Sequence, residues 1–159
     1  RASGVPYVLL RNGWYIENYT ENLAPALEYG AILGSAGEGK VAAATRADLA
    51  AAAAAVLTTE GHENKTYELA GDRAFSMGEL AAEVARASGK PVVYKDLPAE
   101  DYAGALAGAG VPRGFAEILA DSDLGIARGE LNDASGDLRR LIGRATTPLS
   151  TAVATALGK

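Results

Sequence analysis

Val5-Pro6-Tyr7-Val8-Leu9-Leu10-Arg11-Asn12-Gly13-Trp14-Tyr15-Ile16-Glu17-Asn18-Tyr19 is the stretch that decides how this chain is read. Its first part is apolar and β-branched, which predicts a buried strand. The pattern breaks at Asn12-Gly13 into a segment with the only tryptophan, Trp14, and two of the seven tyrosines, Tyr15 and Tyr19. In an open α/β sheet, ligands bind beyond the carboxyl ends of the strands. The polar and aromatic cluster from Asn12 to Asn18 is therefore the candidate site.

Outward from that stretch the chain alternates in a mixed α/β pattern. Arg1-Ala2-Ser3-Gly4 reads as the tail of a helix, with Gly4 as its left-handed C′ residue. Residues 20–29 predict a modest helix with Leu23, Ala26 and Leu27 on one face, stopped by Gly30. Residues 31–33 and 41–44 read as short extended pieces around a glycine-rich turn. Thr45-Arg46-Ala47-Asp48 has the spacing of a helix cap, Asp48 serving the cap, Arg46 the helix start. The alanine-rich run to Leu57 predicts a helix buried against the sheet. Residues 66–69 read as a strand. Ser76-Met77-Gly78-Glu79 predicts a second capping box, and Gly89 with Pro91 ends the helix that follows. Residues 91–94 predict another strand, and 99–106, 112–124, 137–142 and 148–157 predict helices.

At 159 residues the chain has the length of one ordinary domain, here taken as a single unit over 1–159. A net charge of −5 and a pI near 4.9 argue against a nucleic-acid partner. The absence of cysteine excludes disulfides and thiolate chemistry and fits a reducing, cytoplasmic setting. The run 50–57 is far too short to span a membrane. His62 lies in the polar turn Glu60-Gly61-His62-Glu63-Asn64-Lys65 and reads as an exposed loop residue, so no metal site is expected.

Gly34-Ser35-Ala36-Gly37-Glu38-Gly39-Lys40-Val41 fits G-x-x-x-x-G-K, the opening of a phosphate-binding loop. That loop needs a Ser or Thr next and a helix behind it. Val41 has no hydroxyl and an extended segment follows, so a turn between strands is the better reading. The dinucleotide fingerprint G-x-G-x-x-G after a first strand is absent. Glu100-Asp101 and Asp121-x-Asp123 read as solvated acids rather than general acid–base pairs.

Several blocks then occur in order: Leu10-Arg11-Asn12-Gly13-Trp14-Tyr15-x-Glu17-Asn18-Tyr19, Ala44-Thr45-Arg46-Ala47-Asp48, Tyr67-Glu68-Leu69-Ala70-Gly71-Asp72, Ala120-Asp121-Ser122-Asp123, and Leu141-Ile142-Gly143-Arg144-x-Thr146-Thr147-Pro148-Leu149. Together they resemble the C-terminal half of the NmrA-like atypical short-chain dehydrogenases, most of all their bacterial NAD(P)H:quinone oxidoreductase branch, with triphenylmethane reductase a relative. The resemblance covers essentially the whole chain. It implies the C-terminal part of a Rossmann-like NAD(P)-binding fold, a parallel sheet flanked by helices, with a small, mostly helical substrate lobe. The dinucleotide-binding half, on the order of 130 residues or several βαβ units, would then lie outside this chain.

The implied activity is transfer of a hydride from NADPH (or NADH) to a quinone-like acceptor, without flavin or metal. This needs two planar rings held face to face with water excluded, and a donor for charge developing on the acceptor oxygen. Asn12 is the candidate donor. Asn12, Gly13 and Trp14 are the candidate cofactor contacts, and Tyr15 and Asn18 the candidate substrate contacts. The other class within the resemblance is a nicotinamide-sensing regulator that binds cofactor and a protein partner without turnover. The chain alone is expected not to be catalytically competent. A sheet cut in the middle leaves an exposed edge that invites pairing, for example in a homo-oligomer. Asn132-Asp133-Ala134-Ser135-Gly136 departs from the family pattern, and Gly136 is expected to weaken the following helix by about 1 kcal/mol relative to alanine.

Overall fold

A computed structural model describes residues 2–159. The elements in chain order are β1 (Val8–Asn12), α1 (Glu17–Thr20), α2 (Ala24–Tyr29), β2 (Ala31–Gly34), β3 (Lys40–Val41), α3 (Arg46–Thr58), β4 (Lys65–Leu69), β5 (Phe75–Ser76), α4 (Met77–Ser88), β6 (Val93–Asp96), α5 (Ala99–Gly108), α6 (Arg113–Ala127), α7 (Asp137–Ile142) and α8 (Leu149–Ala156). Of the helix tail expected at residues 1–4, Arg1 lies outside the described residues, and Ala2 and Ser3 form a turn. Gly4, expected in the left-handed region, does have φ +71°.

The strands form separate two-stranded pieces: β1 with β4 and β2 with β6, both parallel, and β3 with β5, antiparallel. In the first pair Val8 stands opposite Lys65 and Asn12 opposite Leu69, so both strands end at one level. Among the described strands β1 bonds only to β4, which leaves its other edge unpaired. β4 is closed on its far side by side chains instead. Asp137 Oδ2 accepts from the Glu68 N–H at 3.0 Å, and Ser135 Oγ donates to the Glu68 carbonyl at 3.0 Å.

Apolar burial falls into three clusters. Leu49, Ala52, Tyr67, Leu69 and Leu138 join α3 and α7 to the β1–β4 pair. Ile16, Val41, Phe75, Leu80, Val84, Ile126 and Val153 form the core around α4 and α8. Ala103, Ala116 and Ala120 hold the α5–α6 hairpin together. Small residues on that seam let the two helix backbones approach closely.

The predicted helix over 20–29 is in fact two helices. Pro25 sits in the first turn of α2, where its missing N–H costs nothing, so the chain restarts a helix after Leu23. The alanine-rich α3 buries only one stripe, Asp48, Leu49 and Ala52, while Leu57 is 84% exposed. Ser76 and Glu79 form the expected capping box. Gly136 corrects an expectation. It stands just outside α7 at φ +70°, where an L side chain is strained, so glycine there supports the entry into the helix.

Candidate functional site at the strand ends

Asn12 closes β1, and the next residues cross toward β4 and β3. The Gly13 N–H donates to the Leu69 carbonyl at 2.9 Å, and a Cβ on Gly13 would sit 3.2 Å from that oxygen. Glycine here serves the strand junction itself. Ala44 N–H then donates to Trp14 O at 2.9 Å, Ile16 N–H to Ala44 O at 3.0 Å, and Gly71 N–H to Ala42 O at 2.9 Å. The blocks around Asn12, Ala44 and Gly71, far apart in sequence, thus become one stitched surface.

The candidate residues divide. Asn12 is exposed, and its Nδ2 donates to the Tyr15 phenol oxygen at 3.4 Å. Tyr15 is half-buried against the α3–α7 cluster, with the Arg46 guanidinium 5.2 Å from its ring centroid. Asn18 is exposed on α1, one turn from Tyr15. Trp14 points to the other core, with Ile16 and Tyr19. Its indole N–H and the Tyr19 phenol lie buried side by side, neither in a full hydrogen bond. Burial and the nearby Asp123 push the Tyr19 phenol far above its ordinary value. Asn12 and Tyr15 therefore meet at the open end of β1, with Asn18 exposed one turn further on and Trp14 packed on the core side.

Behind this surface stands a carboxylate that the sequence reading gave only a capping role. Asp48 is fully buried. Its Oδ1 accepts from Arg144 Nη2 at 2.6 Å and its Oδ2 from the Thr147 N–H at 2.6 Å. Burial alone would raise its pKa, but these bonds outweigh burial and hold it below the ordinary carboxylate value. Only half of the expected cap is present: Thr45 Oγ1 accepts from the Asp48 N–H, and the Asp48 side chain turns away to the 144–147 loop. Asp72 grips the same loop, its N–H donating to Thr146 Oγ1 at 2.9 Å and its Oδ2 accepting from the Thr146 N–H at 3.0 Å.

The phosphate-loop look-alike is filled from within. Ser35 N–H donates to Asp123 Oδ2 at 2.7 Å, Ala36 N–H to the Tyr94 phenol at 2.9 Å, and Gly37 N–H to Asp96 Oδ1 at 2.8 Å. The donors that a phosphate would need are taken by the chain's own acids and a tyrosine. Asp123 thus corrects an expectation: Asp121 is exposed, but Asp123 is 7% exposed, on the same face of α6 as Ala116 and Ala120. His62 is corrected as well. It is partly buried and braced, with Nε2 2.7 Å from Thr59 Oγ1 and Nδ1 2.8 Å from the Tyr67 phenol.

Burial, and beyond it the charge of Asp96, raise the Asp123 pKa in spite of the Ser35 N–H. A carboxyl raised in the folded state favours folding most when protonated. Its contribution is full below the ordinary value of 3.8 and is lost as pH rises through the raised folded value. Asp123→Asn keeps an acceptor for Ser35 and removes this penalty. We expect the difference in thermal midpoint, variant minus wild type, to grow in the variant's favour from pH 3.5 to pH 7, followed by circular dichroism. Parallel curves for the two proteins would contradict the assignment.

A cleft of about 560 Å³ lies between α4, α8 and the residues after β4, lined by Phe75, Arg73, Arg86, Pro148 and Leu149. Of the 12–19 segment only Ile16 reaches it, so it is separate from the Asn12–Tyr15 surface. Among the described residues there is no group of three His, Cys, Asp or Glu side chains placed to hold a metal. No helix among the described residues is long and apolar enough to cross a membrane.

The parallel strand ends, the stitched loops beyond them and the helical C-terminal elements define part of an NAD(P)-binding, Rossmann-like fold. No family model matches the chain. It is 54% identical over 151 residues to quinone oxidoreductase 2 of Escherichia coli (strain K12), covering 95% of this chain and 53% of that protein. It superposes with a TM-score of 0.95 on the E. coli NADPH-dependent quinone oxidoreductase complexed with NADPH, at 52% identity over 98% of this chain and 55% of the other. Citrobacter sp. triphenylmethane reductase complexed with NADP(H) gives a TM-score of 0.93 at 43% identity, over 98% of this chain and 55% of the other. In sequence and in fold the chain is similar to these proteins over the part of them that it covers. It spans about half the length of the relatives it matches.

Proposed function

We propose that this segment is the acceptor side of an NAD(P)H-dependent oxidoreductase that passes a hydride to a quinone-like acceptor in the cytoplasm. The observation that carries the reading is the pairing of exposed Asn12 with half-buried Tyr15 at the carboxyl end of a parallel strand, where open α/β sheets bind ligands. The residues fit a nicotinamide. The Asn12 side chain is an exposed carboxamide whose only hydrogen bond among the described residues is the one from its Nδ2 to Tyr15, and its oxygen can accept from a second carboxamide. A reduced nicotinamide bound there supplies the hydride, with no flavin or metal in the reaction.

The chain's own groups do the rest. Asn12 and the Gly13 backbone orient the carboxamide end, and half-buried Trp14 stiffens the loop from the core side. Tyr15 supplies a fixed ring edge beside the acceptor, and Asn18 a second amide at the mouth. Holding two rings at reacting distance is worth several powers of ten without any covalent chemistry. The chain alone is not competent, and the unpaired edge of β1 is where a further strand adds, from the same protein or from a homo-oligomer partner.

Steady-state oxidation of NADPH by the full-length protein, with 1,4-benzoquinone as acceptor, tests this reading. We expect turnover that falls at least about tenfold in Asn12→Ala. Tight NADPH binding with no turnover over a range of quinones would refute it and favour a nicotinamide-sensing regulator.

A further inference from the structure

Tyr15 is half-buried at the strand ends and held from several sides. Asn12 Nδ2 donates to its phenol oxygen at 3.4 Å. An oxygen that accepts in this way keeps its own hydrogen available for another partner. Its backbone forms a parallel bridge with Ala44. The Arg46 guanidinium lies 5.2 Å from the ring centroid, within the range of a cation–π contact.

Arg46 is itself fixed. It stands at the first position of α3, directly after the Thr45 cap. Its guanidinium pairs with Glu21, and its backbone N–H donates to Glu17 Oε1 at 2.8 Å. The second oxygen of Glu17 is buried and has no hydrogen-bond partner among the described residues. Glu17 thus fixes the Arg46 backbone at the start of α3, and Glu21 pairs its guanidinium beside the tyrosine. On a surface otherwise open to solvent, such an arrangement spends several interactions on the direction of one phenol.

We propose that the Tyr15 phenol is the hydrogen-bond donor to the acceptor's carbonyl oxygen, and that Arg46 is the positioning residue that aims it. The inference rests on the oxidoreductase reading above. In the reduction a hydride leaves the C–H bond of the reduced nicotinamide and adds at one end of the conjugated acceptor. The π electrons shift through the ring onto the far carbonyl oxygen, and that oxygen, now a phenolate, then takes a proton from water. A donor already in place lowers the cost of the charge in between. Asn12 donates to the phenol oxygen, and the Arg46 guanidinium lies over one face of the ring, which favours this direction of the phenol. Lysine in place of Arg46 would keep a cation but not the broad, delocalised guanidinium.

The test compares acceptors in the full-length protein. Reduction of 1,4-benzoquinone places charge on oxygen. Reduction of the cationic dye crystal violet adds hydride to carbon and leaves a neutral product. Tyr15→Phe keeps the ring, and we expect it to lower kcat for benzoquinone about tenfold or more while changing dye reduction less than about twofold. Arg46→Ala should lower kcat for benzoquinone with KM for NADPH unchanged, and Arg46→Lys should recover part of the loss.

Binding gives a readout independent of turnover. 4-Nitrophenolate, a planar anion whose charge is shared between the phenolate oxygen and the nitro group, should bind at least about fivefold more weakly to Tyr15→Phe. Equal losses for quinone and dye, or full benzoquinone activity in Tyr15→Phe, would overturn the assignment while leaving the oxidoreductase reading intact. A wild type without turnover on either acceptor would overturn both.

Discussion

Asp48→Ala is expected to cost about 3 kcal/mol of folding stability, the order found when one partner of a buried charged pair is removed. Asp48 is fully buried and holds both Arg144 and the Thr147 N–H at 2.6 Å. Removing it strands a backbone donor and frees the loop that carries Thr146, which Asp72 alone must then hold. Arg144 is half-exposed and can turn to water, which keeps the cost from being larger. The loss should appear as a thermal midpoint lower by roughly 6–12 °C.

Asp48 also sets an acid limit. Its pKa is depressed in the folded state, so its contribution is present above the ordinary carboxylate value of 3.8 and is lost as pH falls below that value through the folded one. Wild type and Asp48→Ala should therefore converge in stability at the acid end of a pH series of urea melts. A difference that persists undiminished there would refute the charge-based account.

Gly39→Ala should be comparably damaging, at roughly 3 kcal/mol, for a different reason. Gly39 looks like a phosphate-loop glycine in sequence, but here it is a packing glycine. A Cβ at this position would sit 2.7 Å from Ala127 Cα, and that neighbour is backbone, which cannot rotate away. The methyl group would push α6 off the 34–39 turn and strain the Asp123–Ser35 bond that joins them. Overpacking of this kind commonly costs 1–3 kcal/mol, and rigid backbone on the far side puts it at the upper end. Gly114→Ala is the matched control: a Cβ there meets nothing within 4 Å, and α6 should gain a few tenths of a kcal/mol. Chemical denaturation of the two variants measures both, and similar midpoints would contradict the packing assignment.

What the sequence made legible follows from how local the signals are. The β-branched run ending in Asn12-Gly13 marked the strand end, although the strand begins at Val8 and includes Asn12. Pro6 has no N–H to give a ladder and Val5 is 64% exposed, which explains the late start. Ser76 and Glu79, Gly89, and the limits of α7 were visible because caps and left-handed glycines are written within a few residues. β5 was missed because two residues carry no periodicity.

Burial of the two acids was harder to see. Asp123 continues the Ala116, Ala120 stripe at helical spacing, and that spacing could have placed it inside. Asp48 finds its partners 96 and 99 residues further along the chain, which no local pattern encodes. For the candidate site the same division holds. Asn12 and Tyr15 meet, with Asn18 one turn further on, because they follow one strand end, whereas Arg46 joins them only through the tertiary stitch between Trp14 and Ala44.

The most direct measurement is a crystal structure of the full-length protein with NADPH and a quinone-type ligand bound. We expect the nicotinamide carboxamide within hydrogen-bond distance of the Asn12 side chain, and a ligand oxygen within hydrogen-bond distance of the Tyr15 phenol, its ring still under Arg46. A nicotinamide or ligand ring seated instead in the Phe75–Leu149 cleft, with Asn12 and Tyr15 facing only water, would contradict this assignment.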